Sequence, residues 1–392
     1  MDGNTVSSPT PFTPPTTEED RVSWLRLIRS RRVGPGTFVR LIAEHGCASA
    51  ALDALPGIAR ASGVDSYAPC PADLALREYH AGLKAGARLL CLGAPDYPQA
   101  LAAIADAPPV LWAMGRGCVL AQPCIAVVGA RNASSLGQRT ARKLSEGLGH
   151  NGFTVVSGLA RGIDTVAHGA ALKTGTIAVM AGGVDHVYPS ENAALAATIA
   201  DQGMRISEQP MGMPPQARHF PRRNRIIAGL ALATIVVEAA EGSGSLITAR
   251  DALEQGREVL AVPGHPLDAR AAGCNALIRD GARLIRNTAD VLEAVALALT
   301  APAGPSAEGD TAPAPRVAVN RPAVQPPRPG NRLPDTLTLH RLILDHLGPS
   351  PLAEDQLIRD LALPAATVAP ALLFLELDGR VQRQPGGLLA RT

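Results

Sequence analysis

The sequence is short of aromatic residues, short of charge and without metal-ligand spacing, and each shortage narrows what the chain does. Aromatics make up 3% and charged residues 18% of 392 positions, with a formal net charge of +2. So neutral a chain cannot coat nucleic acid as a histone-like protein does; any nucleic-acid binding needs basic residues concentrated in one place. The six cysteines (Cys47, Cys70, Cys91, Cys118, Cys124 and Cys274) are scattered, with no C-x-x-C pair. That argues against a disulfide framework or structural zinc and fits a reducing cytosol. No apolar run reaches membrane-spanning length. Met1-Asp2-Gly3-Asn4 is acidic with no apolar segment behind it, unlike a secretory signal. No G-K-[ST] occurs, which argues against P-loop nucleotide hydrolysis. The expectation is a soluble cytoplasmic protein with no membrane span, metal or cofactor.

What is present is an Ala/Leu/Val/Gly-rich sequence, 46% hydrophobic and long enough for two or three domains. Residues 1–17 are Ser/Thr/Pro-rich and read as disordered. Residues 18–85 read as short amphipathic helices, a helical SAM- or helix-hairpin-helix-like domain. Its turn Val33-Gly34-Pro35-Gly36 opens a helix and is either a phosphate-facing glycine turn or a plain structural one. Across 86–300, apolar β-rich runs at Cys124–Val128, Thr154–Val156, Thr176–Met180, Arg205–Ile206, Thr234–Val237 and Val259–Val262 alternate with helix-length segments. Short buried strands alternating with helices predict an α/β, Rossmann-like, doubly wound and mostly parallel sheet, with its ligand at the strands' carboxyl ends. Prolines crowd 301–334, a linker. Residues 335–392 give three short helices and a Gly386-Gly387 turn between strand-like pieces, a winged-helix-like module.

The loops at the predicted ligand edge carry the chemistry. The first strand ends in Gly129-Ala130-Arg131, where glycine lets backbone approach an anion, the next helix offers free N–H groups, and an arginine can hold a phosphate. The second ends in Ser157-Gly158. Beyond it Asp164 and His168, at i and i+4, are either an acid–base or metal pair or a helix-start acid and a satisfied core histidine. The absence of a third ligand at a suggestive spacing favours the latter. No G-x-S-x-G elbow surrounds Ser157 to make it a nucleophile.

The most informative stretch is an expected loop, Arg218-His219-Phe220-Pro221-Arg222-Arg223-Asn224-Arg225, with four arginines and a phenylalanine in eight residues. It is either a solvated arginine-rich helix start or the cationic track and aromatic face of a single-strand binder. Ser243-Gly244 makes a further small-residue turn before a helix. Arg131, Ser157, Glu208, the arginine cluster and Ser243 are expected to converge at one edge.

Asp96-Tyr97-Pro98, Ser157 to Asp164, Phe220-Pro221-x-Arg223-Asn224-Arg225, Ser243-Gly244-Ser245 and Val262-Pro263-Gly264 together resemble the DprA/Smf family over about Tyr97–Ala282. The resemblance implies a dimeric, non-enzymatic protein that protects incoming single-stranded DNA in natural transformation and loads the RecA recombinase on it. It also implies DNA contacts at Arg131, Phe220 and Arg223. The wider candidate set is Gly129, Arg131, Ser157, Gly158, Phe220, Arg222, Arg223, Asn224, Arg225, Ser243 and Gly244, with no catalytic residue. The family's first turn often reads Gly-Ser-Arg; Ala130 lacks that hydroxyl, and the basic residues beside Phe220 are all arginines.

The rival reading is an enzyme of the Rossmann-like phosphoribohydrolase group, whose motif is P-G-G-x-G-T-x-x-E. Aligning its G-T on Gly244-Ser245 puts Thr248 where the catalytic glutamate belongs. In the tail, the expected recognition helix Ala365–Leu377 holds no Lys or Arg and carries Glu376. Partner contact or internal packing suits it better than groove reading.

Overall fold

The computed structural model describes residues 13–61, 63–64, 66–300, 336–347, 352–361, 363–384 and 388–391. The proline-rich stretch, the first twelve residues and the Gly386-Gly387 turn lie outside them. Among the described residues no helix is long and apolar enough to cross a membrane.

Four helices open the chain: α1 (Glu18–Arg29), α2 (Pro35–His45), α3 (Ala48–Ala61) and α4 (Ala72–Lys84). Thr17 caps α1, its side chain accepting from Asp20 N at 3.1 Å, and Gly34 with Pro35 at the first helical position starts α2. Their core joins Trp24, Leu25, Phe38, Leu41, Leu52 and Leu55 to Trp112 of the central sheet. The indole approaches α4 where a β-carbon on Gly82 would stand 2.2 Å from the ring. Its Nε1 donates to Glu78 at 2.8 Å, and Glu78 also takes two bonds from Arg29.

The central sheet begins with an antiparallel pair, β1 (Arg88–Cys91) and β2 (Val110–Gly115), around a short helix α5 (Gln99–Ala102). There follow β3 (Cys124–Val128), α6 (Ser135–His150), β4 (Thr154–Ser157), α7 (Ile163–Ala171), β5 (Thr176–Val179), α8 (Ala193–Gln202) and β6 (Met204–Ser207). Next come α9 (His219–Leu230), β7 (Ala233–Val236), α10 (Gly244–Glu254), β8 (Glu258–Ala261), α11 (Ala272–Arg279), β9 (Arg283–Leu284) and α12 (Thr288–Thr300). The nine strands lie in the order β1-β2-β6-β5-β4-β3-β7-β8-β9, parallel from β6 to β9. Strand alternation sends Ile125 and Val127 of β3 into the core under α6 and α7, and Ala126 and Val128 into the core under α9 and α10. A sheet covered on both faces requires the unbroken apolar runs that the sequence carries.

The arginine-rich segment is not a loop. From His219 onward it forms the first turns of α9, whose later residues Ile226–Leu230 are buried all round the helix and anchor it. Pro221 is tolerated there since first-turn N–H groups have no acceptor inside the helix. The tail consists of α13 (Thr336–His346), β10 (Leu352–Ala353), α14 (Glu354–Leu361), α15 (Ala365–Leu377), β11 (Val381–Gln384) and β12 (Leu388–Arg391), three helices against a small antiparallel sheet.

Candidate nucleic-acid interface

From β3 the chain winds outward through β4, β5 and β6 on one side, then returns to lay β7 against β3's other edge. The order reverses there, so the crevice of this sheet opens at the carboxyl ends of β3 and β7.

One expected anion site in that crevice is already filled. The carboxylate of Glu238, just past β7, sits on the start of α6. It accepts from Ser134 N at 2.9 Å and from the Ser134 hydroxyl. A β-carbon on Gly137, in the helix's first turn, would stand 2.4 Å from that carboxyl group. Ser134 in turn accepts from Gly137 N at 3.0 Å. Two of the N–H groups expected to be free after Gly129-Ala130-Arg131, those of Ser134 and Gly137, are therefore satisfied from within. Gly129 serves close packing: a β-carbon there would lie 2.7 Å from Ile163.

Ser157, Gly158, Arg223 and Asn224 form the floor rather than the surface. The Ser157 hydroxyl is buried and donates to Val127 O at 2.6 Å. Arg223 is buried, and its Nη1 donates to the carbonyls of Gly158, at 2.6 Å, and Val179. Burial lowers its pKa to about 10, with Asp164 opposing the shift. Asp164 accepts from the N–H groups of Gly158 at 3.1 Å and Ala160 at 3.2 Å; burial raises its pKa, and Arg223 counters that. His168 accepts from Leu159 N at 3.3 Å through Nε2, so its Nδ1 carries the proton toward Thr176 Oγ1 at 2.7 Å. Burial lowers its pKa to about 3, which leaves it neutral. Asp164 and His168 thus shape the loop, and among the described residues no group of three His, Cys, Asp or Glu is placed to hold a metal.

The four arginines of the cluster divide by helical phase. Arg218 and Arg222 are exposed at the start of α9. Arg223 faces inward, as does Arg225, which pairs with Glu208 and with Asp106 (Nε–Oδ2 3.3 Å) on the α5 side. Two of the four are spent on internal partners, which corrects the expectation of a four-arginine track. Asn224 ties α9 to the next turn, its Nδ2 donating to Gly244 O at 3.4 Å. There Ser243 caps α10, and nothing lies within 4 Å of a β-carbon placed on Gly244, so this turn is open.

At the mouth, Arg131 is exposed with its guanidinium carbon 5.7 Å from the centroid of the half-buried Phe220 ring. Tyr188, from the loop after β5, meets the same ring edge-on, centroids 5.7 Å apart and planes at 64°. No sequence motif pointed to Tyr188. Its exposure, 53%, depends on how loops distant in sequence are held together. A cation, a ring and a second ring side by side at the switch point can take phosphate and unstacked bases.

A model of the family described as DNA recombination-mediator protein A matches residues 88–296. Two more, a DprA-like N-terminal HHH domain and a DprA winged helix domain, match 18–81 and 325–387. The chain belongs to this family. Its province is DNA processing in recombination. It is 37% identical over 312 residues to the protein Smf of Synechocystis, covering 74% of this chain and 77% of that one. It is 44% identical over 211 residues to the DNA processing protein DprA of Bacillus subtilis, 53% of this chain and 71% of that one. The X-ray structure of DprA from Streptococcus pneumoniae superposes with a TM-score of 0.57 at 34% identity, over 71% of this chain and 98% of that one. The Helicobacter pylori DprA structure, described for its single-stranded DNA binding mode, superposes with a TM-score of 0.50 at 27% identity, over 54% of this chain and 97% of that one.

Within the family's winged-helix domain, the helix that would enter a groove turns inward instead. Glu376 of α15 is buried and accepts from Arg40 of α2 at 3.0 Å and from Arg383 of β11 at 3.0 Å. Arg383 also bonds Glu354 at 2.7 Å, and its Cδ lies 3.5 Å from where Gly36 would carry a β-carbon. Leu373 completes the N-terminal core. The glycine turn of α2 thus lies beneath the tail.

Proposed function

We propose that this protein is a cytoplasmic, non-enzymatic mediator that binds single-stranded DNA without sequence preference and delivers it to the RecA recombinase, working as a homodimer. The observation that carries the DNA reading is the placement of Arg131 over the Phe220 ring at the sheet's switch point, with Arg218 and Arg222 exposed on the same helix start. Phosphates and ring faces carry no base code, so such a site accepts any sequence. Arg131, Phe220, Arg222, Ser243 and Gly244 touch the strand. Gly129, Ser157, Gly158, Arg223, Asn224 and Arg225 hold the surface in shape. The recombinase and the second copy are carried over from the family resemblance.

One observation stands against the phosphoribohydrolase alternative: Thr248, at the glutamate's position in that motif, carries no carboxylate and is buried in α10. The test compares affinities for a single strand, a duplex of the same sequence and a mononucleotide across a salt series. Tighter single-strand binding with a steep salt dependence supports the reading. Tight mononucleotide binding with base release overturns it.

A further inference from the structure

In a chain with so few aromatic residues, where each ring sits is informative. Trp24, Phe38, Tyr67, Tyr79, Tyr97, Trp112 and Phe153 are buried, and Phe220 and Phe374 are half-buried. Among the described aromatic side chains Tyr188 alone is exposed, at 53%. One exposed apolar side chain needs no explanation by itself. This one stands edge-on to the ring that Arg131 covers, at the edge of the sheet where a ligand belongs.

The backbone that presents Tyr188 is fixed on both sides. Upstream, Gly183 N donates to Met213 O at 2.8 Å, and Asp185 accepts from Gly212 N at 2.9 Å. Downstream, Pro189 is buried and Asn192 Nδ2 donates to Leu159 O at 2.9 Å. A ring held out on an anchored loop loses little further conformational entropy when something stacks on it. Its hydroxyl makes no hydrogen bond to any described residue, so the position uses the ring and not the oxygen.

We propose that Tyr188 is a second base-stacking platform beside Phe220, so that the site takes two neighbouring bases of a single strand. Bases lying on rings inclined by 64° are inclined to each other, and the strand turns between them. Duplex bases, stacked parallel, cannot follow that turn, which gives the site a preference for single strands without base readout. The proposal rests on the single-strand reading above and adds a residue and a geometry to it.

The test uses the full chain and an oligothymidylate in which one abasic residue is walked from end to end. Tyr188→Phe, which keeps the ring, is expected to bind like the parent chain. Tyr188→Leu is expected to bind roughly tenfold more weakly or worse, with unchanged melting temperature and salt slope. At one strand position the abasic residue should weaken the parent chain but cost Tyr188→Leu nothing more; at a neighbouring position the same should hold for Phe220→Leu. Unchanged affinity of Tyr188→Leu beside a weakened Phe220→Leu would overturn the second platform and leave the single-strand reading standing. A weakened Tyr188→Leu that keeps the full abasic cost at every position would also overturn it, since the ring would then act only through its neighbour. A parent chain with no single-strand binding would overturn both.

Discussion

Arg223 donates to the carbonyl of Gly158 at 2.6 Å, and a β-carbon on Gly158 would stand 2.5 Å from the same guanidinium. The glycine and the arginine are therefore one structural unit: the missing side chain makes room for the buried cation that fastens α9 to the ends of β4 and β5. Arg223→Ala leaves the Gly158 and Val179 carbonyls without this donor and Asp164 without its compensating charge. The expected loss is about 3 kcal/mol or more of stability, with the salt slope of the remaining folded protein unchanged. Arg131→Ala should do the reverse, leaving the melting temperature nearly unaltered and flattening the log–log salt slope by about 1. Denaturant unfolding and salt titration of both variants separate the two roles; equal slope changes would place Arg223 on the strand after all.

Asp251 of α10 gives the fold a pH dependence. Desolvation, then Glu254 and Asp106, raise its pKa from 3.8 to about 7, and its Oδ2 has no partner among the described residues. A raised carboxyl pKa means that the folded state holds a proton which the unfolded chain releases. Stability is then full below pH 3.8, falls as pH rises, and levels off above about 7. Asp251→Asn should gain over the parent chain progressively from pH 4 to 7 and by a constant amount beyond. A gain independent of pH would show that Asp251 ionises normally.

Glu238 fills the helix start that related folds offer to phosphate. Glu238→Ala is expected to cost about 1 kcal/mol as a lost cap and to create measurable binding of inorganic phosphate at α6, where the parent chain has none. Calorimetry decides. Equal phosphate binding by both proteins would mean the carboxylate does not block the site.

Glu376 holds the tail to α2 through Arg40, and α15 carries no Lys or Arg to meet a phosphate or a base. Glu376→Ala should speed hydrogen exchange in α2, residues 35–45, while single-strand affinity stays within tenfold, about 1.4 kcal/mol, of the parent chain. A larger loss of affinity would make the tail part of the DNA surface.

The parallel strands were legible because strands covered on both faces must be apolar throughout, and Cys124–Val128 is the observed β3 to the residue. The pair β1–β2 was not marked as strands. Their place at the sheet edge is set by Trp112 docking on α4, a contact with no local signature. The arginine cluster was visible as composition but not as phase. Arg222 and Arg223 are adjacent in sequence yet about 100° apart around a helix, so one faces solvent and the other the floor of the crevice. Ser157 is a candidate contact in the sequence because it ends a strand at the ligand edge; its hydroxyl turns to the neighbouring strand instead. Glu238 and Tyr188 carried no motif, since what each does depends on a loop far away in the chain.

The central claim, that the ring under Arg131 reads single strands by stacking, is tested most directly by Phe220→Leu. The substitution removes no charge, so the melting temperature and salt slope should hold. Affinity for a single strand should fall by about 1–3 kcal/mol, with a smaller loss for a duplex. A large drop in melting temperature, with binding lost only in proportion to unfolding, would show that Phe220 anchors α9 and would contradict the claim.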